Sequence, residues 1–408
     1  MIVEKIFDDI TIPIVFAFNN EYCKYFSVAL QSLIENSNIN KKYGVIAIIS
    51  EVSEYDKKLL LSMLPTNFSL RFFNISDCIP EQFKNIKFKT LEYYTEEIYY
   101  RLFIPFLFQN YKKVLYLDSD LVVECDINEF DTDIKEKQIA AALDTIVPFL
   151  ETQPERLKHI KSVLKLKNEF LYFNSGVLLF NNEKIDLEEY SKALLMAFNI
   201  DELLFPDQDI LNKIFQGKVK FIPRKWNFNS SPYVNDNFYN YITGKYKEDF
   251  LNARKNPAII HFTSKYKPWN SNKNEDYDKF WKYARKTPFY EEILYARTQA
   301  QIVTSSKYID LYLKIKNGSG ILLWGASKFL EEFIESYKIN TPSIIGIVDS
   351  DISKSGQNIG TYQIYSPEYI KNLNFKEVII TIINADYSNE IKFFLDTNKI
   401  NAKLTNIF

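Results

Sequence analysis

Lys113-Val114-Leu115-Tyr116-Leu117-Asp118-Ser119-Asp120-Leu121-Val122-Val123 places two carboxylates two positions apart at the end of an apolar run that reads as a buried strand. In an extended chain residues i and i+2 point to the same side, so Asp118 and Asp120 are expected to face one cation together. Open α/β sheets take ligands beyond the carboxyl ends of their strands, and hard oxygen ligands suit Mg²⁺ or Mn²⁺. The stretch therefore predicts a metal-phosphate site. Asp-x-Asp is also short enough to be no more than an acidic strand-to-loop corner.

Working outward, Ile12 to Phe18 is an apolar run ending at Asn19-Asn20, and Tyr43 to Ile49 and Phe68 to Ile75 are further strands. Helical spacing lies between them, from Tyr22 to Ile34 and from Ser53 to Pro65. Such alternation predicts a mainly parallel sheet covered by helices. Tyr99 to Phe108 reads as a helix, Ile139 to Leu143 as a strand ending at Asp144, and Glu188 to Phe198 as a helix. Phe170 to Asn181 carries one of only four glycines in the first 300 residues, which points to close approach of backbone or ligand. Asp207-Gln208-Asp209 opens another helix, where acids complement the dipole, and Ala258 to Phe262 is a strand containing His261. The other histidine, His159, sits in a charged helical pattern and reads as a surface residue.

Near residue 300 the composition changes, with six of the ten glycines in the last 91 residues and a fresh alternation of strand and helix. Gly318 to Trp324, Ile344 to Asp349 and Glu377 to Ile383 read as strands and Lys328 to Tyr337 as a helix. The expected division is a first domain over 1–300 and a smaller Rossmann-like α/β domain over 305–408. Trp324-Gly-Ala-Ser keeps only the first glycine of a dinucleotide fingerprint, although Asp349 holds the place of a ribose-binding acid. The missing glycines crowd a pyrophosphate, so nucleotide binding stays open beside a structural or partner-binding role, and catalysis is not expected there.

With 408 residues, 46% of them apolar, the chain can bury two large cores. A net charge of −2 gives no general reason to expect nucleic acid as a partner. Cys23, Cys78 and Cys125 lack metal-ligand spacing and fit a reducing compartment. The first nine residues carry acids where a signal peptide has its apolar run, and a cytoplasmic location is expected. Residues 254–286 hold nine Lys/Arg against three Asp/Glu, with Trp269, Phe280, Trp281 and Tyr283 interleaved. Such a segment can dock peripherally on the inner face of a membrane; its aromatics can equally pack on the first domain.

His261-Phe-Thr-Ser-Lys-Tyr-Lys-Pro-Trp269 offers an imidazole, hydroxyls and two lysines in a short loop. An imidazole as third ligand favours Mn²⁺ over Mg²⁺, and lysines can meet a diphosphate as point charges. Together with Ile14–Tyr22, Tyr100-Arg101-Leu, Val114–Asp120, Phe173–Phe180 and Asp207–Asn212, this loop resembles glycosyltransferase family 8 over roughly residues 12 to 285. The family includes lipooligosaccharide α-galactosyltransferases and glycogenins.

The resemblance implies a GT-A fold (that of nucleotide-diphospho-sugar transferases) with a mixed, mainly parallel sheet, and retaining transfer from a UDP-sugar to a glycan acceptor, lipid-linked or protein-linked. It implies that Asp118, Asp120 and His261 hold Mn²⁺ and that Lys267 meets the diphosphate. Tyr22 would stack on uracil and Asn19 meet its edge, where the family usually has Asp. Phe18, Ser119, Ser175 and Ser264 would line the donor site, Ser264 standing where the family has glycines. Arg101, Asp144, Asn174 and Asp207 would contact the donor sugar or diphosphate, and Gln208 would lie near the anomeric carbon. Two other readings compete: a catalytically inactive nucleotide-sugar-binding protein, and a haloacid-dehalogenase-type phosphatase, whose pattern Asp118-Ser-Asp-Leu-Val also satisfies.

Overall fold

The computed structural model describes residues 12–407 except 78, 85, 87, 89–95, 131, 232–233, 235–237, 239–241, 243, 272–274 and 383–385. The N-terminal stretch, Cys78 and the last residue of the expected strand Glu377–Ile383 lie outside the described residues. The chain divides between Arg297 and Thr298 into two compact units, within the helix Tyr290–Asn317 rather than in a loop.

In the first unit the strands are β1 (Ile14–Asn19), β2 (Tyr43–Ser50), β3 (Phe68–Asn74), β4 (Lys113–Leu117), β5 (Leu121–Val123), β6 (Ile139–Leu143), β7 (Phe173–Asn181), β8 (Val219–Phe221), β9 (Phe228–Ser230) and β10 (Ile259–Phe262). Seven of them form a mixed sheet in the order β3-β2-β1-β4-β7-β6-β8, and β5-β10-β9 form a small second sheet. Strands β1 to β4 pair in parallel, while β7 runs antiparallel to both β4 and β6. Burial on both faces of a sheet requires unbroken apolar runs. Accordingly β2 is buried over seven of its eight residues and β7 over all nine. The helix Asn20–Glu35 packs Phe26, Leu30 and Leu33 into the core on one side of this sheet.

Two local expectations change. Lys113–Val123 is not one strand: the chain leaves the large sheet after Leu117 and enters the small one at Leu121. Asp118 and Asp120 thus sit at a crossing between sheets, and strand alternation is not what brings them together. Tyr99–Phe108 is mostly a 3-10 helix, Glu96–Phe103, followed by a four-residue α-turn, Ile104–Leu107. Pro105 lacks the N–H that an uninterrupted α-helix needs.

The basic segment 254–286 is also clarified. Trp269, Phe280, Trp281 and Tyr283 are buried in the first unit's core, Lys279 and Lys282 pair with Glu124, and Lys286 pairs with Glu35. The aromatic half of the expected membrane contact is therefore core. Among the described residues no helix is long and apolar enough to cross a membrane.

In the second unit, strands β11 (Ile321–Trp324), β12 (Ile344–Val348), β13 (Asn358–Ile359), β14 (Tyr362–Tyr365), β15 (Glu377–Ile380) and β16 (Lys403–Asn406) form one sheet. Its order is β13-β14-β12-β11-β15-β16. Asp349 does not offer a free ribose-binding carboxylate. Its Oδ2 accepts from Ala326 N at 2.8 Å and from Lys354 Nζ at 3.1 Å, within the turn where a pyrophosphate would approach.

Candidate functional site

The small sheet assembles the site. Across the β5–β10 ladder His261 stands opposite Leu121, and Phe262 N donates to Asp120 O at 2.9 Å. This register carries His261 to the acidic corner from far along the chain. His261 Nε2 lies 3.2 Å from Asp120 Oδ1 and 3.5 Å from Asp118 Oδ2. Ligand atoms from all three residues lie within 4.8 Å of one another, a spacing one cation can draw together. Lys267 Nζ reaches Asp120 Oδ2 at 2.6 Å and the Phe262 carbonyl at 2.5 Å. Burial disfavours the Asp120 charge, but the Lys267 ammonium beside it outweighs burial and holds the carboxyl far below its usual range.

Gly176 makes room for this cluster. A Cβ on it would lie 2.2 Å from His261 Cε1 and 2.9 Å from Asp118 Oδ2. The close approach expected of this glycine is therefore to a side chain of the site.

Behind the cluster lies a hydrogen-bonded floor. Arg101 is 6% exposed and bonded to protein on every side. Its guanidinium meets Asp118 Oδ1 at 2.8 Å, Asp207 Oδ2 at 3.3 Å, the Ser175 carbonyl at 2.9 Å and the Ile98 carbonyl at 3.0 Å. Tyr116 OH donates to Asp118 Oδ1 at 2.7 Å. Ser175 Oγ donates to Asp207 Oδ2 at 2.9 Å. Burial, opposed by Arg101 and reinforced by the Asp118 charge, raises the Asp207 carboxyl above its ordinary value. Gln208 is held at both ends, its Oε1 accepting from Ser175 N and its Nε2 donating to Asp144 Oδ2, each at 3.1 Å. Asn174 Nδ2 donates to the same Asp144 oxygen at 3.1 Å. The Arg224 guanidinium, bonded to the Leu143 carbonyl at 2.6 Å, anchors the backbone before Asp144.

The structure thus brings together Arg101, Asp118, Asp120, Asp144, Asn174, Ser175, Asp207, Gln208, His261 and Lys267. Tyr22 is close by: burial, then the charges of Asp120 and Asp118, push its phenol far above the usual range. Its ring meets Trp269 edge-on at 6.2 Å, and Trp269 in turn stacks on Tyr25 at 3.8 Å.

Of the other expected donor contacts, Phe18, Ser119 and Asn19 have partners within the protein and Ser264 lies in a turn. The Phe18 side chain is 1% exposed and stacked on Phe26, because its strand position faces the helix above. Ser119 Oγ donates to Ala17 O at 3.0 Å, tying β1 to the acidic corner. Asn19 Oδ1 accepts from Tyr22 N at 3.0 Å and caps the helix Asn20–Glu35, so its carbonyl already has a donor. Ser264 occupies a turn with φ of +73°, a conformation that favours glycine. Replacing Ser264 with glycine should leave stability within about 0.5 kcal/mol, relief of strain offsetting the greater freedom of the unfolded chain. Valine there should cost about 1–2 kcal/mol. Urea midpoints of the two variants check this.

His159 is not a surface residue. It is 7% exposed, and its Nε2 lies 2.9 Å from Asp209 Oδ2. Asp209 also accepts from Tyr172 OH and from the backbone N–H of Leu204 and Phe205, which fixes the start of the helix bearing Asp207 and Gln208. The charged pattern around His159 concealed a buried partner 50 positions away. Asn227 and Asn229 were also missed. Asn227 Oδ1 lies 3.0 Å from His261 Nδ1, and Asn229 stands opposite His261 across the β9–β10 ladder. The signal was available, since Asn227-Phe228-Asn229 repeats the i, i+2 polarity of Asp118 and Asp120.

Comparisons with known proteins give the family and the fold. The model of glycosyl transferase family 8 matches residues 13–273, and one described as C2185-like, N-terminal, matches 317–404. An Escherichia coli lipopolysaccharide 1,2-glucosyltransferase is 28% identical over 256 residues, covering 60% of this chain and 69% of its own. A Haemophilus influenzae protein, named provisionally as a glycosyltransferase, is 29% identical over 221 residues, 53% of this chain and 63% of that one. The solved apo structure of the bifunctional glycosyltransferase WbbM has a TM-score of 0.64 at 28% identity, covering 72% of this chain and 53% of that chain. The chain thus spans roughly half to two thirds of these last two relatives. The stretch matched by the family model begins just before β1 and ends beyond Lys267, so it takes in every residue of the acidic cluster and its floor. The chain belongs to glycosyl transferase family 8 and has its GT-A fold.

Proposed function

We propose that the chain is a retaining glycosyltransferase that moves a hexose from a UDP-sugar to a saccharide acceptor in surface-glycan synthesis. The observation that carries this reading is the convergence of Asp118, Asp120 and His261, with Lys267 beside them. Two carboxylates and an imidazole fit Mn²⁺, with Mg²⁺ the alternative. When bound, such an ion neutralises charge on a departing diphosphate. Lys267 supplies a second positive charge within reach of the same group, and Tyr22 offers a ring on which a uracil can stack. The name of the Escherichia coli relative supports glucose as the donor sugar, with galactose next, and a lipopolysaccharide-like acceptor. A capsule or glycoprotein glycan would meet the same chemistry.

For retention, the fixed geometry of Gln208 and Asp207 supports attack from the face the diphosphate leaves. An amide is a poor nucleophile, and the Asp207 carboxylate is held by Arg101 and Ser175. The leaving phosphate then takes the acceptor's proton, while Gln208 Oε1 stabilises positive charge on the sugar. Intact-mass spectra under turnover should show no sugar on the protein, and a hexose adduct on Asp207 or Gln208 would exclude this route. A phosphatase reading fits less well, because its nucleophile would be Asp118, which Arg101 and Tyr116 already hold. The residues 305–408 we read as an appended Rossmann-like domain with a structural or partner-binding role.

A panel of UDP-glucose, UDP-galactose, UDP-N-acetylglucosamine and GDP-mannose, scored for nucleotide release in Mn²⁺ without acceptor, tests the proposal. Release from one UDP-hexose that EDTA abolishes is expected. An inactive binding protein would bind UDP yet release nothing, and EDTA-resistant turnover would remove the metal from the reading.

A further inference from the structure

We infer that Asn227 is a positioning residue: it sets which nitrogen of His261 carries the proton and ties that choice to the Asp144–Gln208 side of the site. The inference rests on the Mn²⁺ and UDP-sugar reading above. Its starting point is a backbone N–H, which has only one polarity. Gly176 N donates to Asn174 Oδ1 at 3.0 Å, so the oxygen end of that amide is fixed. Asn227 Nδ2 donates to the same oxygen at 2.8 Å, which turns Asn227 Oδ1 toward His261. Oδ1 lies 3.0 Å from His261 Nδ1 and can only accept, so Nδ1 carries the hydrogen. In the neutral ring His261 Nε2 then presents a lone pair to the space shared with Asp118 and Asp120. A lone pair facing two carboxylate oxygens at 3.2 and 3.5 Å is repulsive by itself and becomes favourable around a cation.

The opposite tautomer would need Nδ1 to accept from Asn229 Nδ2. That separation is 3.5 Å, at the edge of hydrogen-bond range. At its other end the chain of amides continues from Asn174 Nδ2 to Asp144 Oδ2, which also holds Gln208. Ser175 N fixes the polarity of Gln208 as Gly176 N fixes that of Asn174. Two successive N–H groups of β7 therefore orient both the metal side and the sugar side of the site.

Two variants separate these links. Asn227→Leu removes the acceptor, so the imidazole can place its hydrogen on Nε2 and donate to the carboxylates. Mn²⁺ affinity in the presence of UDP, measured calorimetrically, should fall by about 10- to 100-fold. Asn227→Asp keeps an acceptor for Nδ1 but sets a second oxygen against Asn174 Oδ1. Its Mn²⁺ affinity should stay within about threefold of the parent's while kcat falls by at least about tenfold. The chain has only two histidines, so imidazole ¹⁵N NMR at pH 8 can read the tautomer directly in the metal-free protein. His261 protonated on Nδ1 is expected, and protonation on Nε2 would overturn the inference even if Asn227→Leu fails to fold. Unchanged Mn²⁺ affinity in a folded Asn227→Leu would overturn it as well. His261→Ala is the control: if it too leaves Mn²⁺ binding unchanged, the metal reading itself has failed.

Discussion

Asp120→Ala and Asp118→Ala will each lower Mn²⁺-dependent release of UDP by about a thousandfold or more, yet they will differ in stability. On the proposed Mn²⁺ reading, the activity loss follows from removing one of three ligands, since a bound divalent ion supplies several kcal/mol of charge stabilisation and each 1.36 kcal/mol is tenfold in rate. The stability difference follows from what each carboxylate holds. Asp120 pairs with Lys267, and both side chains are about 15% exposed. Lys267 keeps its bond to the Phe262 carbonyl when the acid goes. Asp118 instead balances Arg101, whose side chain is 7% exposed, and accepts from the buried Tyr116 hydroxyl. Its loss leaves Arg101 with Asp207 as its nearest remaining acid and should cost about 2–4 kcal/mol. For Asp120→Ala a smaller loss of about 1–2 kcal/mol is expected, because Lys267 keeps the Phe262 carbonyl as an acceptor. Chemical denaturation in EDTA measures both without interference from the ion. Equal stabilities would show that Arg101 does not depend on Asp118.

Gly176→Ala will damage the site through one added methyl group. The new Cβ would lie 2.2 Å from His261 Cε1 and 2.6 Å from Nδ1, so the ring must move and its bond to Asn227 must break or bend. No unusual backbone conformation is involved, because Gly176 lies within the regular strand β7 and is absent from the positive-φ glycines. Overpacking of this kind costs about 1–3 kcal/mol, and displacing a site residue by an ångström costs about a hundredfold in rate. Weakened Mn²⁺ binding and a loss of that size in turnover are the expected pair of results. An alanine variant with the parent's Mn²⁺ affinity would mean that His261 is not a ligand.

Much of the architecture was legible in the chain because buried strands need apolar side chains on both faces. Ile12–Phe18 and Tyr43–Ile49 announce themselves in this way. The readings that changed are those in which local pattern and tertiary partner disagree. Glu155–Lys161 looks like a solvated face until Asp209 arrives to bury His159. For Trp269, Phe280 and Trp281 the sequence left a membrane interface and the first domain's core both open, and the core receives them.

By itself the sequence determined the alternation of strands and helices, the presence of two carboxylates and an imidazole at Asp118, Asp120 and His261, and the order of motifs that places the chain in its family. Such features are written over a few residues, where backbone geometry repeats every two or every 3.6 positions. Only the tertiary structure decided that the acidic pair lies at a crossing between two sheets, that Gly176 opens space for His261, and that Asn227 faces its Nδ1. These depend on the pairing of segments far apart in the chain, Leu121 with His261 and Asn229 with His261. A shift of one residue in either ladder would turn the imidazole to the other face.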